Sequence, residues 1–376
     1  MGQGAVMVVD LDVAAAAWNA AFTASLAVVA ALLFHVSTLA FSAENRYGGV
    51  STLCTACLVG SLAVYNQLVG LVPFPYSGFM SWWVGPCVGL YVGYALAVWL
   101  KDRRRYSTNP SVRRAEEIVD KELYKVDISF KMELVRKGFH LFGFLLVASF
   151  YGVGFGSVAG IVNDNTVRYI NRIQGAYESL WGPLEQYPFP VTDTQAVASL
   201  TMFALVAALF FAVIPELIRV LSKAKYSLYN KLTGAVLRGK EYKAIGPQIY
   251  LLVGVTFSYL FYHPLGLIPV EVVMTGALSA CFSDAAAAVV GRGWGKRKVK
   301  VHNGDTKSVE GFVAGVGLTF LIGLLLVGPT LALVAAFTFF LLDYFPTVVA
   351  DNLLNPIAIS FGVALFAFAT GVPVGW

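Results

Sequence analysis

The chain of 376 residues is 57% hydrophobic and 13% charged, with a net charge of +5 and a mean hydropathy of +0.70. A soluble globular domain carries about 25% charged residues, so that class is excluded. Uncharged apolar runs about 20 residues long exclude a disordered chain, a coiled coil and a nucleic-acid-binding domain. An all-α, polytopic membrane protein remains.

From Met1 to Val13 the chain carries Asp10 and Asp12 and no base, unlike a signal or transit peptide, so the first apolar run is expected to be retained. Runs able to cross a bilayer fall near residues 14–41, 50–73, 79–100, 138–162, 196–221, 246–262, 268–290, 311–328, 330–349 and 354–373, giving about ten spans. The four cysteines, Cys54, Cys57, Cys87 and Cys281, all lie inside these runs. Cys54 and Cys57 have no His or further Cys near them, which points to packing and not to a disulfide framework or a metal.

The charges sit between the spans. If alternate connections face the cytoplasm, 25 of the 27 basic residues fall on that side: 11 from Lys101 to Lys137, seven from Arg219 to Lys243, six from Arg292 to Lys307, and Arg46. Only Arg168 and Arg172 stay opposite, in a connection over residues 163–195 that also carries acids. The positive-inside rule then puts both termini outside. Residues 101–137 mix bases with Glu116, Glu117, Asp120 and Glu122, as a solvated or interfacial helix near anionic headgroups does. The expected organisation is N-terminal spans over 1–100, a basic linker over 101–137 and a membrane domain over 138–376.

Ionisable groups inside apolar helices are costly and so mark sites. His140, Glu216 with Arg219, Asp284, Asp343 and Asp351 all fall toward the cytoplasmic ends of their spans; Glu271, near the outer end, is expected to cap or snorkel. Asp284 lies six residues before Val290, roughly 9 Å of helix, within reach of cytoplasmic water. Gly276, Ala280, Asp284 and Ala288 recur at spacing four, predicting a stripe of small residues that another helix or a ligand can approach closely. The following segment reads as a loop. Gly291, Gly293 and Gly295 would present backbone N–H groups to an anion, and Lys296, Arg297 and Lys307 would neutralise phosphate. Asp305 and Glu310 add the hard oxygens that Mg²⁺ prefers. Gly295-Lys296 is followed by Arg297 where a P-loop needs Ser or Thr, so this is not a P-loop.

Three further groups lie on the same side. Arg136 and His140 share a helix face with Lys137 between them. Glu216 and Arg219, three apart after Pro215, form a local pair or a site. Asp351-Asn352, with Asn355-Pro356 beyond, form a polar turn or a site.

The ordered set of Arg136-Lys137-x-x-His140, Pro215-Glu216-x-x-Arg219, Glu241 with Gly246, the Asp284 helix, the Gly-rich basic segment, Lys307-Ser308-x-Glu310-Gly311 and Asp351-Asn352 with Pro356 resembles the CTP-dependent lipid-alcohol kinases. That family includes dolichol, polyprenol and phytol kinases and a CTP-using diacylglycerol kinase; the likeness covers roughly residues 130–370. It implies transfer of the γ-phosphoryl of CTP, with Mg²⁺, to a membrane-embedded isoprenoid alcohol of the dolichol or polyprenol type. Asp284 is then expected to act as metal ligand or general base, and Lys296, Arg297 and Lys307 on the triphosphate. Asp305, Glu310, Asp351 and Asn352 become metal or nucleotide contacts, and Arg136, Lys137 and His140 hold a phosphate or orient the alcohol.

Phosphatidate cytidylyltransferases also combine CTP with a polytopic fold, but their longer Lys-Asp, Gly-His-Gly-Gly and Asp-Arg-x-Asp signature is missing here. A transporter would place its ionisable groups at midplane and show related halves; these crowd one surface. The implied location is a multi-pass position in the plasma membrane of a prokaryote or the endoplasmic reticulum of a eukaryote, with the active site cytoplasmic.

Overall fold

The computed structural model describes residues 11–71, 76–113, 116–117, 124–125, 130, 134, 137–138, 150, 193–233, 237–301 and 306–376. The expected span over 138–162 and the acidic connection after it lie outside the described residues, apart from isolated positions.

The long helices are α1 (Leu11–Ser42), α2 (Arg46–Leu68), α3 (Tyr76–Thr108) and α4 (Asp193–Leu221). A short α5 (Leu228–Thr233) precedes α6 (Pro247–Tyr262). Next, α7 (Val270–Leu278) runs through a π turn at Ser279–Ser283 into α8 (Asp284–Gly293). The chain ends in α9 (Val309–Leu326), α10 (Pro329–Tyr344) and α11 (Asp351–Thr370). Among the described residues, seven helical stretches are long and apolar enough to cross a membrane: six lie in α1, α2, α3, α4, α9 and α11, and the seventh is the continuous Val270–Gly293. This is an all-α, multi-pass arrangement. Of the ten expected spans, those over 246–262 and 330–349 are helices of only 16 residues, or about 24 Å against a hydrocarbon core of about 30 Å. Both open with Pro at the first turn behind a glycine, Gly246 and Gly328. Pro has no N–H to lose there. Gly328 adopts φ +86°, and a Cβ would lie 2.4 Å from the Gly375 carbonyl, so this tight turn admits only glycine.

The π turn changes the face that the sequence pattern predicts. One extra residue per turn rotates everything beyond Ser283 relative to α7, so the spacing-four stripe is broken. Gly276 packs against α11, where a Cβ would meet Ser360 Oγ at 2.2 Å and the Pro356 carbonyl at 2.6 Å. Beyond the turn, Asp284, Ala288 and Gly291 face a cavity. Glu271 sits in the first turn of α7, where a carboxylate favours the positive helix end.

Two β ladders organise the polar side. β1 (Tyr124–Lys125) pairs in parallel with β2 (Leu237–Arg238), drawing the basic linker to the turn that precedes α6. β3 (Lys298–Lys300) and β4 (Thr306–Ser308) form an antiparallel pair between α8 and α9. The α1–α2 hairpin joins the same region. Asn45 accepts from the Gly48 N–H at 2.9 Å and donates to the Tyr242 carbonyl at 2.7 Å, while Ser51 Oγ accepts from the Ala350 N–H at 2.9 Å.

A second polar network ties the linker to the ends of α3 and α4. Lys225 Nζ lies 2.6 Å from Asp102 Oδ2 and 2.6 Å from the Tyr106 hydroxyl, and also pairs with Glu116. Tyr226 donates to Asp102 at 2.9 Å. Hydrogen bonds from Lys225 and Tyr106 hold the Glu116 carboxyl below its ordinary value. Burial alone would lower the Lys225 ammonium, yet its bonds to Asp102, Glu116 and Tyr106 raise it well above its ordinary range. A depressed acid stabilises above its unfolded pKa, about 4.3, and a raised base below its own, about 10.4. Thermal stability should therefore form a plateau from about pH 5 to about pH 10, falling on the acid side as Glu116 protonates and on the basic side as Lys225 deprotonates. In Lys225→Met the plateau should drop; a pH–melting profile unchanged by that substitution would contradict this role.

Candidate active site

Residues far apart in sequence converge on one polar cavity of about 610 Å³. α8 supplies Asp284, Ala287, Ala288, Gly291 and Arg292, and the β3–β4 pair supplies Lys298, Thr306, Lys307 and Ser308. Asp343 comes from α10 and Asp351 and Asn352 from the start of α11, while Lys137, Glu241, Tyr250 and Tyr47 close the remaining sides.

Four of its charges form two ion pairs. Lys137 forms an ion pair with Asp284, their side chains 7% and 17% exposed. Lys307 pairs with Asp343, also donates to the Asp343 carbonyl at 2.8 Å, and sits 5.8 Å from the Phe312 ring. Asp284 and Asp351 are electrostatic neighbours of Asp343. Coulomb attraction offsets desolvation only where partners are this close, so the two lysines make three neighbouring carboxylates tolerable.

The motif Lys307-Ser308-x-Glu310-Gly311 divides its labour. Only Lys307 brings charge into the cavity. Ser308 caps α9 by accepting from the Gly311 N–H at 3.1 Å. The Glu310 carboxylate accepts from the Arg297 N–H at 3.2 and 3.3 Å and does not line the cavity. Gly311 lets α9 approach α8; a Cβ there would lie 2.8 Å from the Ala287 carbonyl.

The glycines of the expected anion loop are placed differently. α8 continues to Gly293, so the backbone of Gly291 and Gly293 belongs to a helix and not to an open loop. Gly295 is required by space, since a Cβ would come within 2.1 Å of the Gly291 carbonyl and 2.5 Å of Ser308. The longer helix also chooses the cations: Arg292 and Lys298 line the cavity, whereas Lys296 and Arg297 are exposed outside it. The sequence pattern singles out Asp343 by depth without a role, and nothing in it marks Tyr47. Arg136, His140 and Asp305 lie outside the described residues.

Glu216 and Arg219 stand behind the cavity wall. Arg219 is fully buried, bonding Glu216 at 2.6 and 2.8 Å, the Ala244 carbonyl at 2.6 Å and the Glu241 carbonyl at 3.4 Å. Gln248 donates to the other Glu216 oxygen at 2.6 Å. This pair pins the turn carrying Glu241 and the start of α6 to α4.

Among the described residues, no group of three or more His, Cys, Asp or Glu side chains is arranged as a metal cage. Buried polar atoms without a hydrogen-bond partner among the described residues include Asn352 Oδ1, Asn355 Oδ1, Ser279 Oγ and Ser283 Oγ. Asn352, 6% exposed, brings such an acceptor to the cavity wall beside Asp351. Mg²⁺ takes one or two carboxylates, keeps several waters and fills the rest from substrate phosphates. Two aspartates and an unpartnered amide oxygen fit that demand without a cage.

Compared with models of protein families, with curated proteins and with solved structures, the chain matches none.

Replacing Arg219 by Met strands Glu216 and two carbonyls in the interior and should cost about 3–5 kcal/mol. Thermal unfolding of the purified variant measures this. Glu216→Gln combined with Arg219→Met should recover part of the loss. A single variant as stable as the wild type would remove the pair from the account.

Proposed function

We propose that the chain is a membrane-embedded phosphotransferase moving the γ-phosphoryl group of a nucleoside triphosphate onto an isoprenoid alcohol at the cytoplasmic membrane surface. CTP as donor, and a dolichol- or polyprenol-type acceptor, follow from the resemblance of the ordered motifs. The supporting observation is the mixed-charge cavity, in which four cations and three aspartates from the linker, α8, the β3–β4 pair, α10 and α11 line one space among apolar helices. Phosphoryl transfer demands charge neutralisation and alignment more than covalent participation by the protein, and such a lining offers both.

Lys137, Arg292, Lys298 and Lys307 neutralise the polyphosphate. Asp284 accepts the alcohol proton as the oxygen–phosphorus bond forms and the bond to the β,γ-bridging oxygen breaks. Lys137 orients the Asp284 carboxylate through their ion pair. Asp351 and Asn352 Oδ1, with Asp284 lining the same cavity, would hold a magnesium ion, whose chemistry when bound is to neutralise phosphate charge. Arg136 and His140, one and three residues from Lys137 in sequence, hold a phosphate or orient the alcohol. Asp305 adds an oxygen ligand, and Lys296 and Arg297 draw the nucleotide in from solution. Glu216, Arg219 and Glu241 shape the wall.

Radiolabelled CTP tests this directly. Label from the γ position should enter a lipid alcohol, whereas label entering lipid from the α position would mean cytidylyl transfer. Asp284→Asn should cut turnover by about 10²- to 10⁴-fold, as expected for loss of a general base, while leaving folded protein in the membrane. Full activity in that variant would remove Asp284 from the mechanism.

A further inference from the structure

Between α7 and α8 the chain carries one residue more than a continuous α-helix would hold, taken up in the π turn at Ser279–Ser283. Both flanks of that turn are pinned. On one side Gly276 lies against Pro356 and Ser360 of α11; on the other, Gly291 lies against Ser308 and the Ala287 carbonyl against Gly311. A Cβ added to Gly276, Gly291 or Gly311 would approach those partners to 2.9 Å or less. With neither flank free to turn, the extra residue must sit somewhere between Gly276 and Ala287, but these contacts do not fix where.

Two hydroxyls are left unsatisfied by its present place. The buried Thr256, Ser258, Thr275, Thr319 and Ser360 each donate to the carbonyl four residues back, at 2.7–3.0 Å, which is how a hydroxyl is satisfied inside an apolar helix. Ser279 and Ser283 are 0% exposed, yet their Oγ atoms have no hydrogen-bond partner among the described residues. An unpaired buried hydroxyl is costly, and regular α geometry would offer these two the Thr275 and Ser279 carbonyls. Against that cost stands Asp284, which the present turn directs into the cavity and into its ion pair with Lys137. No residue of α8 is buried, and the four residues after Asp284 are alanine, so rotation there displaces little side-chain volume.

We propose that the extra residue moves along this helix, from Ser279–Ser283 to the turn that begins at Ser283, and that the Lys137–Asp284 pair holds it in the first place. The shift rotates the residues between the two turns by about 100°. Each takes the angular position that its successor holds now. Ser283 then faces the cavity, and Asp284 swings to the place of Ala285, away from Lys137. The cavity is thereby switched between a carboxylate and a hydroxyl opposite Lys137, and whatever draws Lys137 away favours the hydroxyl. The device requires only the Lys137–Asp284 contact and stands whether or not the chain transfers phosphate.

Thiol accessibility in oriented vesicles tests it in the full chain, with Cys54, Cys57, Cys87 and Cys281 replaced by Ala. Rates are taken relative to Ala288→Cys, which lines the cavity in both placements. Ser283→Cys, buried while the π turn stays at Ser279–Ser283, should react slowly with a membrane-impermeant thiol reagent. Adding Lys137→Met should speed that reaction on the order of tenfold, as a shift between two conformations does; Lys137→Gln serves should the Met variant fail to fold. Deleting Ala280 removes the extra residue and leaves both flanks in place. The deletion variant should fold with a melting temperature no lower than its parent's, and in it Lys137→Met should no longer change the Ser283→Cys rate. A Ser283→Cys rate indifferent to residue 137 in the undeleted helix would overturn the proposal, as would a change that persists after the deletion. So would a deletion variant that does not fold, because the flanks would then not be pinned on either side of one extra residue.

Discussion

A charge at the end of an apolar helix survives only if a counter-charge reaches it. In this protein the Lys137–Asp284 and Lys307–Asp343 pairs meet that demand, and they draw together a linker, a β pair and two helices. Each is a long-range contact between elements that share no local pattern. Removing either lysine would leave an aspartate beside other aspartates in a partly desolvated space, which is far costlier than losing an exposed pair. The cavity and the packing around it are therefore one structure. Its opposed charges also suit an incoming polyphosphate, which supplies its own negative charge and competes for the same lysines.

Behind the cavity lies a layer whose work is positional. Arg219 fixes the turn of Glu241, Asn45 reaches the same turn from the α1–α2 hairpin, and Ser51 holds the start of α11 where Asp351 and Asn352 project. α2 thus belongs to the site's scaffold, and Tyr47 to its wall, although this stretch carries no motif of its own. The glycines at 291, 295 and 311 serve the same end by letting α8, Ser308 and α9 approach to backbone contact.

Much of this was legible in the sequence for one reason: a lone charge in an apolar run is a compositional outlier wherever it sits. That reasoning finds Asp284, Asp343 and Asp351 and positions the helices that carry them; Lys137 and Lys307 come instead from the basic segments that flank the apolar runs. It fails where geometry decides. Arg292 and Lys298, not Lys296 and Arg297, line the cavity because α8 runs two residues past Gly291 before β3 begins, and no propensity rule sets that boundary. The π turn at Ser279–Ser283 breaks the small-residue stripe because a single added residue leaves no mark in periodicity. Glu310 has the composition of a metal ligand but closes the turn to Arg297. Asp343 stands out by depth, yet its partnership with Lys307 spans 36 positions and no local pattern points to it.

The account stands on one claim, that the paired charges line a space reached by nucleotide from the cytoplasm. Site-directed labelling measures it most directly. Ala288→Cys on α8, with Cys54, Cys57, Cys87 and Cys281 replaced by Ala, is treated with a membrane-impermeant thiol reagent in oriented vesicles. The account predicts labelling only from the cytoplasmic side, and protection by magnesium and CTP together. Labelling from the opposite side, or labelling indifferent to nucleotide, would contradict it.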